Sequence, residues 1–258
     1  MAVLLGLHLL GCQSAPAART PAATIARTNS PQPATEPAPS ATPSPTPTPT
    51  PLPALAGNFD GGGPDEAVTL SGSGKSTSIT YTLESGQQLT SSLAALLPPC
   101  GARSDADTIY QPRILGVGDF RGDGRSEALI ELYRGASTQF PVVVGIDRGS
   151  VETATVIDGA NACQRIFPIA GSVTHGNGFA CAVVAGRPGF QVLQAGLPNP
   201  AKATAYDWYR ADYQWQGLNL HLVGLEHRTY PVPAAGGMAP PLAAAWQVHC
   251  QGLPAWVA

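Results

Sequence analysis

The residues best typed and spaced for chemistry fall between positions 116 and 132, G-V-G-D-F-R-G-D-G-R-S-E-A-L-I-E-L. Acidic side chains take the first, fifth and ninth places of a loop (Asp119, Asp123, Glu127), with Gly124 sixth and Arg125 seventh. A run suited to a strand follows at once. Carboxylates at alternate positions converge when a glycine permits a sharp bend, which is how a loop surrounds Ca2+ with oxygen. The stretch 57–70, G-N-F-D-G-G-G-P-D-E-A-V-T-L, lies on this one at an offset of 61 residues. Gly57-Asn58-Phe59 falls on Gly118-Asp119-Phe120, and Glu66-Ala67-Val68 on Glu127-Ala128-Leu129. A fainter third copy, G-S-V-T-H-G-N-G-F-A-C-A-V-V at 171–184, carries no carboxylate. Repeats of this length point to a blade-like or stacked β architecture.

Neither acidic loop is complete. Arg121 holds the third place of the second loop, where an oxygen ligand belongs, and its cation opposes a metal. Gly62 replaces the fifth-position acid of the first loop, leaving Asn58, Asp60 and Glu66. Two readings stay open. In one, Asp119, Asp123, Arg125 and Glu127, with Asn58, Asp60 and Glu66 in the first copy, hold a structural Ca2+. In the other, both loops are metal-free turns and Arg121 salt-bridges Asp119 or Asp123.

The elements that must position these loops are short. Apolar or β-branched runs at 79–83, 128–133, 141–147, 151–157, 180–184, 190–194 and 218–225 are separated by Gly, Asp, Asn and Ser clusters, so an all-β domain is expected. The run 89–97 alone suits a helix, and Pro98-Pro99 ends it. Three repeats are too few for a closed propeller, which typically has at least four blades. An incomplete propeller-like or open β assembly follows as the expectation.

Here a resemblance can be named. The pattern G-D-F-x-G-D-G-x-x-E followed by a strand resembles the FG-GAP (VCBS-type) repeat of integrin-like β-propellers, over about fifteen residues of the second copy. It implies inter-strand loops that often bind Ca2+, in extracellular adhesion or carbohydrate-associated proteins. Tyr213-Gln214-Trp215-Gln216-Gly217-Leu218 is similar to aromatic hairpin turns of such bacterial repeat proteins. Leu9-Leu10-Gly11-Cys12 resembles the lipobox of bacterial lipoproteins, with Cys12 as the lipidated residue, although no basic segment precedes it. The two resemblances imply an exported chain at the bacterial surface or envelope, lipid-anchored at Cys12, with secretion as the alternative.

Composition agrees with export. Segment 13–56 holds 12 of the 26 prolines among Thr, Ala and Ser, and ends P-S-P-T-P-T-P-T-P-L-P. It has no apolar surface to bury and is biased to polyproline II, so it reads as a disordered, semi-stiff stalk on the order of 100 Å long. Positions 1–12 form the signal segment and 57–258 the β-repeat domain. Outside the stalk stand 12 basic and 16 acidic residues, without a basic cluster. That excludes nucleic acid, and it restricts membrane contact to the anchor. Cys100, Cys163, Cys181 and Cys250 are even in number and widely spaced, which suggests two disulfides of open connectivity.

Other chemistry is thin. S-G-S-G-K-S at 71–76 lacks the upstream glycine of a phosphate loop and leads into a β-branched run, which argues against nucleotide. The chain has no H-E-x-x-H and no G-x-S-x-G. Trp208, Tyr209, Tyr213 and Trp215 could stack on sugars or anchor a protein partner, or pack across strands. The expectation is a non-enzymatic binder of an extracellular protein or glycan. The alternatives are an exported hydrolase with a site assembled from separate loops, and a structural envelope protein.

Overall fold

The short β-branched runs become strands in the computed structural model, which describes residues 54–64, 66–98, 105–157, 164–233 and 237–253. Cys12, most of the stalk, Asp65, Cys100, Cys163 and Trp256 lie outside these residues. Strands β1 (Leu55–Gly57), β2 (Glu66–Ser71), β3 (Ser78–Thr82) and β4 (Gln88–Ser92) form an antiparallel meander. Strands β5 (Arg113–Gly118), β6 (Glu127–Arg134), β7 (Thr138–Asp147) and β8 (Ser150–Thr153) form a second one with the same connectivity. Gly57 pairs with Glu66 in the first meander and Gly118 with Glu127 in the second, so the offset of 61 is an offset in structure too.

The second sheet continues from β7 through β10 (Ile169–Ser172), β11 (His175–Val184), β12 (Arg187–Gly196), β13 (Ala205–Gln216) and β14 (Asn219–Pro231). A short β9 (Thr155–Val156) runs parallel to β14, and β15 (Val248–His249) runs parallel to β11. Between β8 and β9 the chain leaves β7 at Ala154 and joins β14, bending the large sheet without closing a barrel. The fold is therefore an open, all-β assembly. The third copy, which carries no carboxylate, turns tightly where Ser172 pairs with His175. One expectation needs correction. The run 89–97 is not a helix: its first half is β4, where Thr90 meets Thr80 hydroxyl to hydroxyl (2.9 Å), and only Leu93 and Leu97 fold inward on a turn.

Strand β6 is buried on both faces, the mark of a middle layer. Ala128, Ile130 and Leu132 face the first meander and pack with Phe59, Val68, Ile79 and Tyr81. Leu129 faces the other way, toward Phe120, Phe167, Phe179 and Phe190. Each such buried side chain contributes about 1.5–3 kcal/mol, so the paired phenylalanines of the two loops anchor them to separate cores. A third cluster joins Tyr206, Trp208, Leu242 and Trp246. Trp246 lies flat over Gly176, where an added Cβ would come within 2.3 Å of the indole. The disulfide Cys181–Cys250 fastens the C-terminal segment to β11.

Candidate functional site

The two acidic loops are built alike. Each begins with an amide or carboxylate that accepts a backbone N–H three residues on: Gly61 donates to Asn58 Oδ1 (2.9 Å) and Gly122 to Asp119 Oδ1 (2.6 Å). Both donors are glycines at positive φ (94° and 67°), a conformation other residues adopt at a cost. Each loop ends with a buried glutamate that receives the N–H of the loop's phenylalanine. Phe120 donates to Glu127 Oε2 (2.9 Å), and Phe59 donates to Glu66 Oε2. The carboxylates thus close the loops from within, before any metal is considered.

The loops differ in what faces the second oxygen of that glutamate. In the second loop, Arg121 is buried and donates through Nε to Glu127 Oε1 (2.6 Å), with Asp123 Oδ2 3.6 Å away. Asp119 meanwhile spends both oxygens on the N–H groups of Gly122, Asp123 and Gly124, and Asp123 accepts from the Arg125 N–H. Burial pushes the Glu127 carboxyl up to about 7, against the opposing pull of Arg121. This side-chain set does not fit Ca2+, because a guanidinium stands where a third-position oxygen should.

In the first loop Glu66 Oε1 is buried and no N–H donor reaches it, so it meets Asp60 only through a shared proton. Its nearest polar company is Asp60, whose Oδ1 accepts from Gly62 (2.6 Å). Burial and then the Asp60 carboxyl raise Glu66, while the hydrogen bond with Glu66 holds Asp60 low. The buried glutamate lacks a guanidinium here, and a proton or a metal ion is what could replace it. The oxygens fit Ca2+ in kind but fall short of the six to eight it takes. Among the described residues, no group of three or more His, Cys, Asp or Glu side chains is placed to hold a metal ion.

A different place offers room. A groove of about 510 Å³ is lined by residues 72–74, 110–113, Glu131 and Arg134. Its floor is Glu131, buried near the end of β6 and reached by Arg113 (Nε to Oε1, 3.0 Å) and Arg134 (Nη2 to Oε2, 3.2 Å). Arg113 sits opposite Glu131 in the register of β5. Arg134 is three residues along β6 and in a regular strand would point to the other face. An extra residue at Leu132 breaks the register with β7 and turns Arg134 back over Glu131. Tyr110 stands at the rim with 74% of its surface exposed. The glycine-rich stretch read as a false phosphate loop also lines the groove at 72–74 and leads into a 3-10 turn at Gly74–Ser76 rather than a helix.

The aromatic cluster does not present four rings to solvent. Trp208 and Tyr213 are core residues, and Trp215 packs edge-on against Phe190 (5.6 Å). Tyr209 and Trp215 are half-buried, and Tyr209 is stacked on His227 at 4.4 Å. The alternation of β13 explains the division, since Tyr206 and Trp208 point to the third cluster and Tyr209 to the far face. The groove residues were invisible to local spacing. Their one signal was Glu131, an acid inside the apolar run A-L-I-E-L. No protein-family model, curated protein or solved structure matches this chain.

Proposed function

We propose that the chain is a non-enzymatic binding protein, displayed outside the cell on its Pro/Thr-rich stalk and anchored through Cys12, whose β domain takes an extracellular glycan in the Tyr110 groove. The observation that carries this reading is the state of the groove's acid. Glu131 is clamped by two guanidiniums and, among the described residues, is the one carboxylate lining the groove. General acid–base hydrolysis of a glycoside needs two carboxyl groups across the cleft. In this reading the groove supplies contacts to a sugar, with Glu131 held as a brace between the two arginines. Any calcium is structural and belongs to the first loop, where no N–H donor reaches Glu66 Oε1.

Affinity electrophoresis of the full chain through gels carrying neutral and acidic polysaccharides tests this directly. Retardation with no new reducing ends in the polymer supports the binder. Release of reducing ends would put the exported hydrolase in its place, and free migration through every gel would favour the structural envelope protein.

A further inference from the structure

We infer that the groove between Tyr110 and the Arg113–Glu131–Arg134 triad recognises an anionic pyranose, a sugar unit bearing a carboxylate or sulfate. The inference rests on the binding reading above and names the chemistry of its ligand. Two guanidiniums converge on one buried carboxylate, so the floor of the groove carries one positive charge more than it carries negative. The arginines stay half-exposed while Glu131 is almost wholly covered. The unbalanced positive charge is therefore presented to the solvent side, where an anionic ligand can meet it.

The donors are also held in place. The hydrogen bonds to Glu131 use Nε and Nη2 of both arginines, and a guanidinium carries five N–H donors in a planar fork. Donors remain for a ligand, already fixed in direction by Glu131. With its amide turned so that donors meet acceptors, Gln139 adds a further brace, donating to Glu131 and accepting from Arg134. Arg113 keeps the Nη1/Nη2 end of its fork for two parallel hydrogen bonds to a carboxylate or sulfate, the stronger kind, and Arg134 keeps Nη1.

The shape of the walls selects a ring. Tyr110 offers an exposed aromatic face on which the apolar face of a pyranose can stack. Gly72, Ser73 and Gly74 also line the groove, and Gly74 lies against the Tyr110 backbone, where an added Cβ would come 3.9 Å from the carbonyl oxygen. Gly72 could not be otherwise: at φ +91° an added Cβ would strike the Ser76 oxygen at 2.5 Å. The groove thus sets an exposed ring beside a stretch short of side chains, open to solvent. A flexible acidic peptide would gain little from the flat aromatic wall, which favours the sugar.

The test is calorimetric titration of the full chain with trigalacturonate, its neutral methyl ester, and a 4-sulfated galactose disaccharide. Trigalacturonate should bind about tenfold more tightly than its ester, one charge-assisted contact's worth. Arg134→Gln should erase that preference, and exposed Tyr110→Ala should weaken both sugars about equally, without touching the fold. Tighter binding of the sulfated sugar supports the same chemistry with sulfate as the source. Equal binding of acid and ester overturns the inference while leaving the binder standing. Retention of the preference in Arg134→Gln, or binding of an acidic tripeptide in place of every sugar, overturns it as well. Release of reducing ends during the titration would instead strike the binding reading beneath it.

Discussion

Replacing Arg121 by methionine removes the cation that meets Glu127, and the consequence depends on pH. In the intact chain burial lifts the Glu127 carboxyl from 4.5 to about 7. A folded value above the unfolded one means the fold holds the proton more tightly. That stabilisation is complete below the unfolded value and is lost as pH rises toward about 7, roughly 3 kcal/mol in all at 1.36 kcal/mol per unit. Without the guanidinium the folded value climbs further, so the loss continues through pH 8 and beyond. Removing one member of a buried ion pair costs about 3–5 kcal/mol when the other stays charged. Proton uptake limits the expected loss to about 2.4 kcal/mol at pH 8, one further pH unit of linkage beyond the intact chain, and to about 1 kcal/mol at pH 5, where only a hydrogen bond is missing. Urea unfolding of the full chain, followed by tryptophan fluorescence, reads this as midpoint shifts of about 1.2 M and 0.5 M, at a slope near 2 kcal/mol/M. The double variant Arg121→Met/Glu127→Gln should recover most of the stability at pH 8. Equal shifts at the two pH values would refute the electrostatic account and leave only lost packing.

Three further outcomes follow from the same geometry. Millimolar calcium should raise the melting temperature through the first loop, an effect abolished in Glu66→Gln and kept in Asp123→Ala; the reverse pattern would place the ion in the second loop. Removing the Cys181–Cys250 bridge by a double alanine replacement opens a loop of 69 residues, which should cost about 4 kcal/mol in chemical denaturation, on the chain-entropy estimate. Gly176→Ala should cost about 3 kcal/mol by thermal unfolding, because its Cβ would drive into the Trp246 indole, and Trp246→Leu in the same chain should restore part of the loss.

The sequence made the repeat legible because a repeat is local. The loops at 57–66 and 118–127 share a glycine, a phenylalanine and a closing glutamate at fixed spacing, and those residues carry the same hydrogen bonds in both copies. Strands β3, β6, β7 and β12 were legible for the same reason, as apolar runs between turn residues. What failed was anything decided by pairing. The run 89–97 has helical spacing of leucines, but β3 offers its edge to 88–92 and the ladder wins over propensity. The aromatics of β13 looked like a cluster because they are close in sequence; alternation sends them to opposite faces.

The groove shows why a site can stay hidden when its fold does not. Arg113 comes from β5, Glu131 and Arg134 from β6, and Tyr110 from the loop before β5. The spacing of Glu131 and Arg134 is odd, so a strand reading places them on opposite faces and denies the pair. Only the extra residue at Leu132 brings them together, and that bulge exists because the partner strand fixes the register. The acidic loops invert this. Their spacing advertises a metal, yet Arg121 turns inward and takes the metal's place against Glu127. Residue type at one position, the third of the loop, decides which of two solutions a buried glutamate finds. In the first copy, where Asp60 stands at that position, the same glutamate keeps an oxygen that no N–H donor reaches. The two copies are therefore a natural comparison of one backbone with and without its internal cation, and calcium binding should divide between them along that line.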